Sequence, residues 1–272
     1  MRKIDIHCHT TNRKLEDILP KSATLDTILE EMHKHDIEKT VVLATYFPHR
    51  ASGISNFRLL HWVRGRPQFN MFASLDFEHY FYQGINELTE LAEGNLIKGI
   101  KLYTCYQNID LKSPNFKEII SIAKNHKLLL MFHCGYSYSC MRHYGRITVT
   151  ESVKPSHLDF LIKNNPEVNI IISHLAQPFT DELIVLAKKY PNVYSDTSGL
   201  IDSKFSRHKI PESIEDIKKF LGECGPKRLL FGTDFPVQTH EDSIFFAEEA
   251  MKEYSFPDKQ DVYYNNARRL IR

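Results

Sequence analysis

The chain has 272 residues, 42% hydrophobic and 25% charged, an ordinary globular profile whose length allows one large domain or two small ones. Its 35 Lys and Arg against 34 Asp and Glu leave a net charge of +1, which argues against an electrostatic binder of nucleic acid or membranes. With mean hydropathy −0.36, no apolar run approaches the roughly 20 residues of a membrane span. Arg2, Lys3 and Asp5 come early with no apolar segment behind them, so a secretory signal is not expected. Cys8, Cys105, Cys134, Cys140 and Cys224 are scattered without a CxxC, so a reducing, cytoplasmic setting is expected.

Short runs rich in Ile, Val, Leu and Phe predict buried strands at 3–9, 40–46, 69–76, 97–103, 128–134, 169–175, 193–198 and 229–235. Helical spacing fills the gaps at 24–36, 54–65, 79–93, 114–126, 156–165, 180–190, 212–223 and 241–254. A last helix runs over 258–270, starting at Asp258. Ser113 before Pro114 is an N-cap with proline at the first helical position, and Ser156 is placed to cap the fifth helix. Pro166 and Pro191 close the fifth and sixth helices. Eight strand-then-helix units predict an α/β fold, a (β/α)8 TIM barrel with an extra C-terminal helix, in a single domain over 1–272. An open doubly wound sheet would carry a Gly-rich phosphate turn after its first strand, and this sequence has none there. The longest irregular stretches, 10–23, 135–155 and 199–211, all follow strands, where a barrel builds its site.

Histidine is abundant, with 14 residues, so an HxH pair arises readily by chance and its setting decides its meaning. Asp5, His7 and His9 alternate along the first strand. A period of two puts them on one face, looking into the barrel, with Ile4, Ile6 and Cys8 turned to the helix layer. His7 and His9 at the C-terminal end of a strand can converge on a metal ion; the alternative is a pair of hydrogen-bonded core histidines. His33 and His35 form another HxH, but residues two apart on a helix do not face each other, and the pair reads as solvated surface.

His133 ends the fifth strand and His174 the sixth, each after an apolar run. Asp234, in GTDFP, ends the eighth, where a desolvated carboxylate needs a cation: a metal, or a Lys or Arg inside the barrel. The eighth strand borders the first in a closed barrel, so Asp234 should stand near His7 and His9. Three neutral histidines and one carboxylate suit Zn2+ or a related divalent ion. Lys101, in GIKLY, is either a carbamate bridging two metals or a free ammonium. Arg50, beside His49 after the second strand, is a surface residue or a clamp for a substrate carboxylate. Tyr103, Tyr106, Tyr136, Tyr138, His143 and Arg146 follow the fourth and fifth strands and would line an aromatic, basic pocket. Cys134 and Cys140 read as packing residues.

DIHCHT, GIKLY, MFHCG, ISHLA, GTDFP and NNARRLI occur in this order from residue 5 to residue 271. Together they resemble the amidohydrolase superfamily, most closely the amidohydrolase-2 branch, which includes decarboxylases related to aminocarboxymuconate semialdehyde decarboxylase. The resemblance implies His7, His9, His133 and Asp234 as metal ligands and His174 as the adjacent catalytic histidine. It adds Lys101 and His174 to the ligands if the centre is binuclear, and makes Arg50 an approximate match to a substrate-gripping arginine. TatD-type nucleases share the DxHxH start but look for Glu after the fourth strand, where this chain has Lys101. The polymerase-and-histidinol-phosphatase type does not match GTDFP or NNARRLI.

The expected activity is metal-dependent hydrolysis of a C–N, ester or lactone bond in a small polar molecule. Asp234 would take the proton of the attacking water, and His174 would polarise the substrate carbonyl. Non-oxidative decarboxylation on the same scaffold is the alternative, with a metal-supported binding barrel as a third reading. A small-molecule substrate is expected rather than nucleic acid or membrane; a homo-oligomer is allowed.

Overall fold

The computed structural model describes residues 1–11, 22–46, 54–135 and 154–272. Eight strands follow one another: β1 (Lys3–Cys8), β2 (Ile37–Leu43), β3 (Phe69–Ala73), β4 (Gly99–Leu102), β5 (Leu129–Phe132), β6 (Ile170–Ile172), β7 (Val193–Asp196) and β8 (Leu229–Leu230). They lie side by side in sequence order and all pair in parallel. A parallel bridge between Cys8 and Phe235 joins the last strand to the first, and Ile6 N–H donates to the Phe231 carbonyl at 3.0 Å. The result is the expected TIM barrel. Among the described residues no helix is long and apolar enough to cross a membrane.

Side chains alternate between two apolar layers. Outside the sheet, residues such as Val42, Ile100, Phe132, Ile172 and Phe231 pack against the helices. Inside, Ile6, Leu43, Phe72, Met131, Ile171 and Leu230 fill the barrel. The first helix, α1 (Leu25–Lys34), shows how the outer layer forms. Thr24 accepts from Thr27 N–H at its N-terminus, and Leu25, Ile28 and Met32 share one buried face. Each fully buried apolar side chain of this kind is worth about 1.5–3 kcal/mol.

Helices α2 (Asn56–Val63), α3 (Phe81–Glu93) and α4 (Pro114–Asn125) follow, and Ser113 caps α4 as expected by accepting from Phe116 N–H at 3.2 Å. Ser156 does not cap the fifth helix. It lies inside a 3-10 turn, Pro155–Leu158, and its N–H donates to Glu182, while α5 (Asp159–Asn164) begins after that turn. Next come α6 (Thr180–Lys189), α7 (Ile210–Cys224) and α8 (His240–Ala250). The last predicted helix is three pieces: α9 (Phe256–Gln260), a π-turn (Asp261–Asn265) and α10 (Asn266–Leu270). Ser255 rather than Asp258 starts it, accepting from Asp258 N–H. Tyr264, Ala267 and Ile271 of this segment join the inner layer.

One expectation about β1 is wrong in its first half. Ile4 and Ile6 belong to the inner layer, and Asp5 does not face the barrel interior. The cause is a register shift. Asp5 pairs with Thr40 but Cys8 with Val42, so β1 uses three steps where β2 uses two. The extra residue returns His7 and His9 to the inside while Cys8 stays in the outer layer. Asp5 instead seals the β1–β8 seam, accepting from Thr233 N–H (3.1 Å), Thr233 O–H (2.7 Å) and His7 N–H (3.0 Å).

Candidate metal centre

The C-terminal ends of β1, β5, β6, β7 and β8 bring together His7, His9, His133, His174, Asp196, Ser198 and Asp234. His9 Nε2 and His7 Nε2 approach the same oxygen of Asp234, at 3.1 and 3.3 Å. One ligand atom each from His7, His174 and Asp234 lies within 4.8 Å of the other two. His174 Nε2 is 3.3 Å from His133 Nδ1, and the ring of Tyr106 stands 5.3 Å from that of His133.

Backbone conformation aims two of these groups. Asp234 (φ 58°) and the run His174, Leu175, Ala176 (φ 62°, 49° and 53°) are in the left-handed region without being glycine. Such residues cost of order 1–3 kcal/mol each and persist where the surroundings over-determine them. Gly199 (φ +55°) is needed where it is: a Cβ there would fall 2.7 Å from both Asp234 Oδ2 and His174 Nδ1.

Hydrogen bonding fixes which ring nitrogens carry protons. Asp196 is fully buried. Burial alone would raise its carboxyl, but the charge His7 and His174 carry when protonated, with the hydrogen bonds from His7 and from the His174 N–H, outweighs it and keeps the group low. An ionised carboxylate only accepts, so His7 donates Nδ1–H to Asp196 Oδ2 at 3.0 Å and keeps its lone pair on Nε2. A carbonyl also only accepts, so His174 donates Nδ1–H to the Ser198 carbonyl at 2.9 Å and likewise presents an Nε2 lone pair.

His7 Nε2 is buried and, although close to Asp234, has no hydrogen-bond partner among the described residues. A lone pair facing a carboxylate oxygen at 3.3 Å is repulsive unless a cation or a proton lies between them. These donors therefore fit a divalent cation. Burial and Lys101 would lower His7, but Asp196 and Asp234 outweigh them and raise it. Asp234 is held well below the usual carboxylate range, the hydrogen bonds of the His7 and His9 rings and the charge of His7 outweighing its burial. Burial lowers His9, and lowers His174 to about 4.

Lys101 is buried inside the barrel. Its ammonium donates to Ser173 Oγ at 2.9 Å and lies 5.5 Å from the Tyr103 ring; burial lowers it to about 8. Tyr103 is buried and donates its hydroxyl to the Ala44 carbonyl at 2.8 Å, with its ring 6.3 Å from that of His9. Arg50, Tyr136, His143 and Arg146, with His49, Tyr138 and Cys140, lie outside the described residues. Cys134 is buried, its thiol pushed up to about 12 by burial, which fits packing rather than nucleophilic chemistry.

The sequence profile of the amidohydrolase family matches residues 4–272. The chain belongs to the amidohydrolase family. This is a family of metal-dependent enzymes. Over 80 residues the chain is 40% identical to Protein fluG of Emericella nidulans, a match that covers 29% of this chain and 9% of that protein. Solved structures share the fold along nearly the whole length. A probable 2-pyrone-4,6-dicarboxylic acid hydrolase from Acinetobacter baumannii is 17% identical with a TM-score of 0.70, covering 100% of this chain and 99% of that one. A 2,6-dihydroxybenzoate decarboxylase from Rhizobium is 18% identical, with the same TM-score of 0.70 and the same coverage of 100% and 99%. A dihydroxybenzoic acid decarboxylase from Polaromonas sp. JS666 with bound manganese is 16% identical, TM-score 0.69, over 99% and 96% of the two chains.

Asp196 and Ser198 are site residues that the sequence reading missed. The sign was there: in the predicted strand 193–198 both follow Tyr194 at a period of two, which puts them on its inward face. Their partner His7 is 189 residues from Asp196, and no local pattern points to it.

Proposed function

We propose that this amidohydrolase is a metal-dependent hydrolase acting on a C–N, ester or lactone bond of a small polar substrate. The observation that carries the reading is the convergence of the buried His7 Nε2, without a hydrogen-bond partner among the described residues, on the partly exposed Asp234 carboxylate beside His9 and His174. We assign the cation, zinc in preference to other divalent ions, to His7, His9, His133 and Asp234. When bound, it supplies positive charge that polarises a substrate carbonyl and makes water more acidic.

The protein's own groups handle the proton. Asp234 has a second carboxylate oxygen to accept a proton from water. His174 is neutral near pH 7 and offers a lone pair at Nε2, so it accepts a proton rather than donating one to a carbonyl. This revises the carbonyl-polarising role expected from sequence, because Nδ1–H is committed to the Ser198 carbonyl. His133 Nδ1 lies 3.3 Å from His174 Nε2, a contact that must open when His174 takes the proton; with its own proton on Nδ1, His133 would offer Nε2 to the cation. Lys101, donating to neutral Ser173, suits a free ammonium and a single cation.

Metal analysis of three chains tests these assignments. Wild type should hold about one zinc per chain. His133→Ala should lose it, and His174→Ala should keep it but lose turnover. Metal lost from His174→Ala and kept by His133→Ala would exchange the two roles. About two metals per chain would make Lys101 a carbamate bridge. Decarboxylation, the activity named for two of the structural relatives, is the second reading. Release of CO2 from aromatic carboxylic acids, without hydrolysis of lactones or amides, would replace the hydrolase reading with it.

A further inference from the structure

We propose that Asp196 is the positioning residue of this centre: one carboxylate fixes the tautomer of His7 and anchors the left-handed turn that carries His174, so that both rings present Nε2 to the same space. The proposal rests on the metal-centre reading above.

The two oxygens of Asp196 do different work. Oδ2 accepts only from His7 Nδ1 in the described structure, at 3.0 Å. Oδ1 accepts from His174 N–H at 2.9 Å, Ser198 N–H at 3.2 Å and Ser198 O–H at 2.5 Å. One side of the carboxylate thus governs a ring on β1, and the other holds the first residue of the left-handed run His174–Ala176 after β6. Ser198 ties the halves together, its Oγ lying 2.9 Å from the Nδ1 atoms of both His7 and His174. A packing residue would not need an ionised group here. Burying a carboxylate is costly unless each oxygen is used, and Asp196 uses both.

Asp196→Asn separates these roles. Three donors converge on Oδ1, so the amide oxygen stays there and the amide NH2 replaces Oδ2 against His7. The NH2 donates, so His7 Nδ1 must accept, and the ring's proton moves to Nε2. The fold keeps its clamp on His174 while His7 loses the lone pair aimed at the cation. Partners of metal-ligating histidines typically contribute about 10–100-fold in metal affinity, and a forced tautomer change should reach the upper part of that range.

The test uses the full-length protein and two readouts. Zinc affinity is measured by competition with a chromophoric chelator for wild type, Asp196→Asn and Ser198→Ala. Ring 15N shifts of His7 are measured in metal-free wild type and Asp196→Asn at about pH 9, above the ordinary histidine range. We expect wild-type His7 protonated at Nδ1, the variant protonated at Nε2, and zinc binding weakened about 100-fold in Asp196→Asn. Ser198→Ala, which leaves both carboxylate contacts in place, should weaken binding by much less. Wild-type His7 protonated at Nε2, or zinc binding by Asp196→Asn weakened less than about tenfold, would overturn the proposal, since it demands at least the tenfold end of the range. Should Asp196→Asn not fold, the wild-type tautomer still decides. Failure of wild type to bind zinc would sink the metal-centre reading instead, and the tautomer measurement would then decide on Asp196 by itself.

Discussion

Replacing His240 by Leu should remove a pH-dependent weakness of the fold. His240 opens α8 and is fully buried. Its ring stacks on His35 at 6.0 Å and meets Phe235 at 4.7 Å. Neither nitrogen has a hydrogen-bond partner among the described residues; Nε2 is 3.8 Å from Asp5 Oδ2. Burial, helped by the charges of His35 and Lys34, lowers this histidine from 6.5 to about 3. Between those values the unfolded chain binds the proton and the folded chain does not. Stability is therefore complete above pH 6.5 and is lost as pH falls, by about 1.4 kcal/mol per unit. At pH 5 the loss is about 2 kcal/mol.

Asp5, across the ring, has the opposite sign. Burial raises it to about 7, against the hydrogen bonds from Thr233 and His7, so its protonation favours the folded state as pH falls from 7 towards 3.8. Asp5 is common to both chains, so its contribution cancels in the comparison apart from its coupling to His240 across 3.8 Å. Urea unfolding of wild type and His240→Leu at pH 7.5 and pH 5, read by circular dichroism, should show the variant gaining about 2 kcal/mol relative to wild type on acidification. A difference that does not change with pH would refute the argument that His240 is buried neutral.

Two further outcomes follow from packing. Gly199→Ala puts a methyl group against Asp234 and His174 in a left-handed backbone, and should lower zinc affinity at least tenfold while costing about 1–3 kcal/mol of stability, read by chelator competition and thermal unfolding. Phe72→Ala empties part of the inner layer at the level of Gly99, its partner in β4; it should cost about 3–5 kcal/mol in chemical unfolding and leave metal stoichiometry unchanged at temperatures where the chain stays folded.

The histidine pairs show what a pattern can and cannot say. His7-x-His9 and His33-x-His35 look alike in sequence. Strand geometry turns the first pair inward, whereas on the helix His33 is exposed and His35 caps the end, its ring stacked on His240 rather than solvated. The contact between His35 and His240 spans 205 positions and leaves no local trace. The left-handed turn at His174 was equally silent. SHLA contains neither Gly nor Asn, the usual residues of that conformation. What holds it is a hydrogen bond to Asp196, which only the folded barrel supplies.

By itself the sequence determined the order of eight strands, the strand ends that carry His133, His174 and Asp234, and the neighbourhood of β8 and β1. These follow from short apolar runs and from closure of a parallel sheet, which are local or topological properties. Tertiary structure alone decided which way Asp5 faces, because one extra residue in β1 reverses the period-two argument. It also decided which nitrogens of His7 and His174 are left with lone pairs. Protonation of a buried ring is set by the acceptor placed against its other nitrogen, and here those acceptors, Asp196 and Ser198, come from β7 and the loop that follows it.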